Sequence, residues 1–220
     1  GGHRLAAGLS LPKENVGKFR EMLNKNCTLT EEEMKEKVTI DMEMPFGCVT
    51  EGLVKELELL EQMRPGLVQL EIGVQSTNPQ TIEAIHRKMD FGKVTEIVNR
   101  IAKGRNIHQH LDLIAGLPYE DYASFRRSFA DVYALRPQQL QLGFLKVLRG
   151  SFMYEHTKEY DCHYQEREPY EVLYTKWLPY DDVLKLKDVE EMVEVYYNSG
   201  QFVHTLPMIE RLYENPFDFF

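Results

Sequence analysis

The three cysteines are the first residues whose spacing can be tested against known chemistry. Cys27, Cys48 and Cys162 are separated by 21 and 114 residues. A cysteine metal pair needs a short spacing such as C-x-x-C, and a disulfide framework needs more cysteines in an even number. We therefore expect reduced thiols in a cytoplasmic protein, with no cysteine metal site.

Two histidines offer a second candidate. His108 and His110 lie two residues apart, so in a strand they share one face. Metal ligation by the pair remains open, but no third ligand is placed nearby. We favour a hydrogen-bonding role for both side chains.

A polar turn follows the apolar run that ends at Gly73. It contains Gln75, Ser76, Thr77 and Asn78 and is followed by Pro79. In a parallel α/β array such a turn lies at the carboxyl edge of the strands, where ligands bind. The alternative is that Asn78 and Pro79 only cap and start a helix.

Two further segments have the same strand-and-turn pattern. In "HLDLIAGLPYED", Gly116 would let the backbone approach a ligand closely and Pro118 fixes the turn. A plain turn between a strand and a helix would need the same residues. In "QLQLGFLKVLRGS", Gly143 and Gly150 indicate close packing and a turn.

The elements that must position these segments alternate after Pro65. Apolar strands are predicted at residues 67–74, 109–115 and 139–147, and the intervening segments 79–104 and 121–135 are long enough for right-handed crossovers. The three strands should therefore be parallel and largely buried. Three such units make half of a barrel.

The flanking regions have different patterns. Residues 1–62 predict a small α+β unit with a helix over 13–25, a strand at "KVTIDMEM" and a helix capped by Thr50. From residue 151 onward the chain is mostly helical. There "DDVLKLKDVEEMVEVYYNSG" predicts an amphipathic helix that ends at Gly200.

Composition limits the classes of function. The chain has 43% hydrophobic residues and a net charge of -9 from 35 acidic and 26 basic residues, which disfavours a general nucleic-acid surface but leaves a local basic site open. No apolar run approaches the roughly 18 residues of a membrane span. The chain opens at Gly1 without methionine, which we interpret as a fragment rather than as processing.

Taken together and in order, the three strand segments resemble the second half of the radical S-adenosylmethionine barrel. "EIGVQS" is similar to the family's fourth strand, "LDLIAGLP" to its fifth and "LQLGFLKVLRG" to its sixth. Further on, "EPYEVLYTKWL" resembles the C-terminal domain of cobalamin-binding radical enzymes. The expected fold is α/β, with a half barrel over 66–150 and a helical C-terminal domain over 151–220.

This resemblance implies S-adenosylmethionine and a [4Fe-4S] cluster as cofactors, cobalamin in the cobalamin-dependent type, and an unknown small-molecule substrate. In the family, three thiolates of a C-x-x-x-C-x-x-C loop hold the cluster. This chain has no such loop, and the first three strands of the barrel are missing as well. We therefore expect it to be inactive alone, and we assign no catalytic or metal-binding residue.

The resemblance also implies which residues line the S-adenosylmethionine site. Those expected near the ribose or methionine end are Glu71, Gln75 and Ser76, and those beside the adenine are Ile114 and Gly116. The family's fifth strand often has a glycine and an acid where this chain has Asp112 and Tyr119. The fifth strand thus departs from the family's pattern at both positions.

The N-terminal "GGHRLAAGLSLPKENVGKFREMLN" has a second resemblance, to the DHH-associated domain of RecJ-type single-strand exonucleases. Over residues 1–62 it implies that Gly1, Gly2 and His3 hold single-stranded nucleic acid through backbone N–H groups. The alternative is an exposed turn, because no Asp-His-His metal centre is present. The two resemblances meet near residues 61–65 without a flexible linker, which indicates a deletion or an assembly junction.

Three functions follow as hypotheses. The favoured one is an incomplete radical S-adenosylmethionine protein, and the others are a nucleic-acid-binding remnant and a scaffold that pairs with a partner. The half barrel should have exposed parallel edges, and such edges promote pairing between chains. We therefore expect self-association.

Overall fold

The computed structural model describes residues 2–3, 6–7, 15–25, 60 and 62–220. Contacts divide the chain into two units, residues 1–43 and 44–220. In the first unit, strands β1 (Gly2–His3) and β2 (Ala6–Ala7) pair antiparallel, and helix α1 spans Val16–Lys25 within the helix predicted over 13–25. The strand predicted at "KVTIDMEM" and the start of the helix predicted from Thr50 lie outside the described residues.

The second unit contains a three-stranded sheet. Its strands are β3 (Val68–Gln75), β4 (Ile107–Ala115) and β5 (Gln139–Phe144). They lie in the order β3-β4-β5 and both pairs are parallel, which confirms the three predicted parallel strands. The register aligns Glu71 with His110 and Asp112 with Gln141, and it shifts at a bulge between Gly73 and Gln75.

The first crossover contains two helices, α2 (Pro79–Ala84) and α3 (Phe91–Gly104). Between them His86 has a φ of 57°, a left-handed conformation in which an α-helix cannot continue. Helix α3 starts again after Asp90, whose carboxylate caps its first turn. The crossover segment over 79–104 is therefore helical at both ends and interrupted in the middle.

The second crossover is the single helix α4 (Tyr122–Tyr133), within the segment predicted over 121–135. Asp121 caps it, because its Oδ1 accepts a 2.7 Å hydrogen bond from the backbone N–H of Ser124. The buried face of α4 carries Phe125 and Phe129, which join the main apolar core with the buried residues of the sheet. This packing fixes where the turn after β4 lies.

The C-terminal region adds short elements and one long helix. They are α5 (Phe152–Glu155), β6 (His163–Tyr164), β7 (Val172–Tyr174), α6 (Tyr180–Val193), a π-helical turn (Glu194–Asn198), α7 (Leu206–Ile209) and two 3-10 turns (Glu210–Leu212, Pro216–Asp218). The predicted amphipathic helix is confirmed as α6 and the π-helical turn. The chain then turns at Gly200, which has a φ of 68°.

The outer edge of β5 is partly covered by the π-helical turn. The side-chain amide of Asn198 accepts a 2.9 Å hydrogen bond from the Leu140 backbone N–H and donates one of 2.9 Å to the Leu140 carbonyl. A side-chain amide thus replaces a neighbouring strand. The expectation of an exposed edge is wrong at Leu140, because its backbone groups are already paired.

The helices cover one face of the sheet. In β4 the positions on that face, Gln109, Leu111, Leu113 and Ala115, are all buried, and the three apolar ones belong to the core. Within the part of the chain that the structure describes, no helix has the length and apolar character needed to cross a bilayer.

Candidate functional site

The second face of the sheet carries polar side chains on all three strands. We call it the polar face, and it comprises Gln69, Glu71 and Gly73 of β3, His108, His110, Asp112 and Ile114 of β4, and Gln139, Gln141 and Gly143 of β5. His108 and His110 share this face, as predicted. Each has a buried Nε2 atom without a hydrogen-bond partner among the described residues.

Three polar groups converge at Gly73 near the carboxyl edge of the polar face. A Cβ at Gly73 would lie 2.6 Å from Nε2 of Gln75, 3.5 Å from a guanidinium nitrogen of Arg87 and 3.6 Å from Oδ2 of Asp112. The missing side chain therefore lets an amide, a cation and a carboxylate approach the backbone at Gly73 closely. We call this arrangement the Gly73 cradle.

Gln75 reaches the cradle through an unusual backbone conformation. Its φ of 68° is in the left-handed region, directly after the bulge that separates it from Gly73. Val74 between them is fully buried in the core. The bulge thus anchors Val74 while the Gln75 amide folds back over Gly73.

His110 lies between two carboxylates on the polar face. Its Nδ1 is 3.9 Å from Oε1 of Glu71, and its Nε2 is 3.9 Å from Oδ1 of Asp112. Burial raises the pKa of Asp112, and the charge of Glu71 adds to this, while His110 and Arg87 oppose it. The arrangement concentrates negative charge around one imidazole.

Ser76 faces away from the polar face, into a buried polar network. Its Oγ donates a 2.6 Å hydrogen bond to Oε1 of Glu120, and the Oγ of Ser128 donates one of 3.0 Å to the same atom. Burial raises the pKa of Glu120 to about 7, although the hydrogen bonds from the serine hydroxyls oppose this. The structure therefore gives Ser76 a role in joining the turns after β3 and β4.

Glu120 is a residue that sequence reasoning missed. The sequence resemblance predicts an acid at the position of Tyr119, and the buried acid of this chain lies at the next residue. A search that allowed the spacing after Gly116 to vary by one residue would have found it.

The end of the polar turn caps and starts a helix, as the alternative interpretation predicted. Asn78 caps α2 by accepting from the Gln80 backbone N–H, and Pro79 is its first residue. The Asn78 amide also donates to the carbonyl of Tyr119 at 2.9 Å. Of the polar side chains in this turn, only that of Gln75 reaches the cradle.

The two residues expected beside the adenine lie in different surroundings. Ile114 is on the polar face, next to Gly143 in register. Gly116 has a φ of 90°, and a Cβ there would lie 2.7 Å from Cγ1 of Val172. Close approach at Gly116 is thus made by strand β7 of the C-terminal region.

The proposed nucleic-acid loop is described only in part. Gly2 and His3 form β1, and Gly1 lies outside the described residues. The role of these three residues in binding nucleic acid remains a prediction.

The residues present do not fit a [4Fe-4S] cluster. Among the described residues there is no group of three or more His, Cys, Asp or Glu that could hold a metal ion. Cys162 is buried, and burial raises the pKa of its thiol to about 11, whereas a cluster ligand must be a thiolate. Cys27 and Cys48 lie outside the described residues, and their spacing does not match a cluster loop.

Comparison with known proteins gives a partial family match. Residues 158–220 match a family described as "Protein of unknown function (DUF4080)". No curated protein matches the chain in sequence.

Three solved structures resemble the chain. Coproporphyrinogen III oxidase (HemN) from Escherichia coli, a radical SAM enzyme, is 17% identical with a TM-score of 0.47, and the match covers 92% of this chain and 43% of that one. The radical S-adenosylmethionine methyltransferase TsrM from Kitasatospora setae is 16% identical with a TM-score of 0.33, and the match covers 35% of this chain and 15% of that one. Elp3 from Methanocaldococcus infernus is 17% identical with a TM-score of 0.39, and the match covers 51% of this chain and 25% of that one. The chain spans less than half the length of each.

Proposed function

We propose that the Gly73 cradle and the adjoining Ile114 side chain form part of an S-adenosylmethionine site. On this proposal the chain is the C-terminal half of a radical S-adenosylmethionine barrel with its C-terminal domain. The observation that carries the proposal is the convergence of the polar groups of Gln75, Arg87 and Asp112 at Gly73. The sequence resemblance of the three strands supports it independently.

The chemistry of the cradle matches one end of S-adenosylmethionine. That end is an amino acid with an ammonium group and a carboxylate, which need an anion and a cation as partners. Asp112 and Arg87 supply these charges, and the amide of Gln75 can both donate and accept a hydrogen bond. The side chain of Ile114 offers apolar surface for the adenine on the same face.

The chain alone does not supply the radical chemistry on this proposal. In radical enzymes the reduced cluster cleaves S-adenosylmethionine, and the described residues here do not provide its ligands. The chain would bind and orient the cofactor while another part provides the cluster. A cobalamin-dependent type is proposed only on the sequence resemblance of residues 151–220.

Calorimetric titration of the full chain with S-adenosylmethionine tests the proposal. Gln75→Ala should weaken binding at least fivefold because it removes the amide from the cradle, and Gly73→Ala should do the same because its Cβ would displace that amide. Gln69→Ala is the matched control, since Gln69 is an exposed glutamine at the opposite end of the same face. No binding by the unmodified chain, or an equal loss in Gln69→Ala, would refute the proposal.

A further inference from the structure

We infer that Glu71, His110 and Asp112 form a subsite for the primary ammonium group of a small-molecule substrate. The inference rests on the proposed function, because it places this substrate on the same polar face as S-adenosylmethionine. We call these three residues the ammonium subsite.

The geometry around His110 leaves hydrogen-bonding capacity unused. Both separations from the imidazole nitrogens to the flanking carboxylates are 3.9 Å, which is longer than the 2.7–3.2 Å of a direct N–H···O hydrogen bond. The Nε2 atom is buried and has no partner among the described residues. A buried polar atom without a partner costs free energy, so a ligand that forms a hydrogen bond with it would be stabilised.

The number and type of acceptors favour an ammonium group. Two carboxylates and, in the tautomer that carries its proton on Nδ1, the Nε2 of the imidazole can each accept a hydrogen bond, and a primary ammonium has three N–H donors. Its charge also matches the two acids. A divalent metal is a poorer candidate, since no metal-binding group is found in the described part of the chain.

Access and position are consistent with a separate subsite. The His110 side chain is 9% exposed, whereas that of Glu71 is 67% exposed, so the site is closed at the imidazole and open at Glu71. Glu71 lies two residues before Gly73 on β3, roughly 7 Å away along the strand. Arg87 and Gln75 belong to the cradle, and Asp112 lies between the two sites.

Histidine-ring NMR of the full chain tests the inference with n-butylammonium as the probe. The His110 Cε1–H resonance, identified by its loss in His110→Gln, should shift and saturate. Tetramethylammonium has the same charge but no N–H donors, so it should bind at least tenfold more weakly. 1-Butanol, which has no charge, should cause no saturable shift.

Two carboxylate variants make the test specific. Glu71→Gln should weaken n-butylammonium binding at least fivefold, and Glu96→Gln, at an exposed acid of α3, should leave it unchanged. Because Glu71 is largely exposed, Glu71→Gln should fold, and the saturable histidine shift that it weakens is the readout even if His110→Gln fails to fold. An absent shift, equal binding of both cations, or an unchanged affinity in Glu71→Gln would overturn the inference.

The outcome is distinguishable from that of the proposed function. Gln75→Ala should weaken S-adenosylmethionine binding but leave the n-butylammonium shift intact. If S-adenosylmethionine binds and n-butylammonium does not, the ammonium subsite is refuted and the cradle stands. If only n-butylammonium binds, the proposed function is refuted and a cation site on the polar face stands.

Discussion

The Oγ of Ser76 donates a 2.6 Å hydrogen bond to Oε1 of Glu120, and this contact joins the turn after β3 to the turn after β4. Ser128 of helix α4 donates to the same carboxylate oxygen, and its Oγ also accepts from the Thr77 backbone N–H at 3.0 Å. One buried carboxyl group thus fixes the carboxyl edge of two strands. The position of Gln75, which precedes Ser76, depends on this network.

Stability should fall as the pH rises through the pKa of Glu120. Burial raises that pKa to about 7 in the folded chain, above its value in the unfolded chain. The folded state therefore binds the proton more tightly, and the stabilisation present below about pH 4.5 is lost as the pH passes 7. We expect a loss of roughly 3 kcal/mol in the free energy of unfolding.

Urea unfolding from pH 5 to pH 8 measures this loss. Glu120→Gln cannot ionise, so it should flatten the pH dependence and be more stable than the unmodified chain at pH 8. Glu166→Gln changes an exposed acid and should keep the original slope. A pH dependence that is unchanged in Glu120→Gln would contradict the assignment.

The strands and their direction were predictable because they depend on local patterns. Apolar runs separated by long crossovers leave few alternatives to parallel strands, and the structure confirms all three. The break at His86 was not predictable, since it follows from a left-handed backbone conformation that the residue type does not reveal. The pairing of Asn198 with Leu140 joins residues 58 positions apart, beyond any local pattern.

The candidate site was predictable only at the level of the strand ends. The polar turn after β3 indicated Gln75, whose role in binding stays a prediction, whereas Ser76 turns inward because a buried acid 44 residues later accepts its hydrogen bond. Arg87 reaches the cradle only because helix α2 is short and the chain folds back. Such convergence depends on tertiary packing, so the sequence alone does not show it.

The Cys162 thiol should be unreactive in the folded chain. Burial raises its pKa to about 11, and the thiolate is the reactive species. In a Cys27→Ser, Cys48→Ser background, iodoacetamide at pH 8 should label Cys162 at least 100-fold more slowly in buffer than in 8 M urea. Similar rates under both conditions would show that the thiol is accessible and would reopen the question of a ligand role.

Gly116→Ala should destabilise the chain for two reasons, the strained backbone conformation of the new alanine and the clash of its Cβ with Val172. A φ of 90° is unfavourable for alanine, and the new Cβ would lie 2.7 Å from Cγ1 of Val172. Gly150→Ala is the matched control, because Gly150 has a φ of 79° with no atom within 4 Å of the added Cβ. We expect Gly116→Ala to cost about 2 kcal/mol more than Gly150→Ala.

A double-mutant cycle separates the contact from the backbone strain at Gly116. Val172→Ala removes the methyl groups that the added Cβ would meet, so the extra cost of Gly116→Ala should shrink in that background. Chemical unfolding of the four proteins gives the coupling energy. Strict additivity would mean that Val172 does not explain why glycine is needed there.

Asn198→Leu should lower the free energy of unfolding and expose the edge of β5. The substitution leaves the backbone N–H and C=O of Leu140 without the two 2.9 Å hydrogen bonds that Asn198 makes, at a cost of about 1–3 kcal/mol. Unpaired edge groups also promote pairing with another chain. Light scattering after size exclusion should therefore show more self-association than in the unmodified chain.

The matched control for this edge is Gln201→Ala, which changes an exposed amide three residues further along. It should alter neither the unfolding midpoint nor the mass distribution. If Asn198→Leu loses stability without added self-association, the amide matters for packing, and the edge of β5 is protected by other contacts. If the unmodified chain already associates to the same extent, the association must use another surface, because the Leu140 edge is closed before the substitution is made.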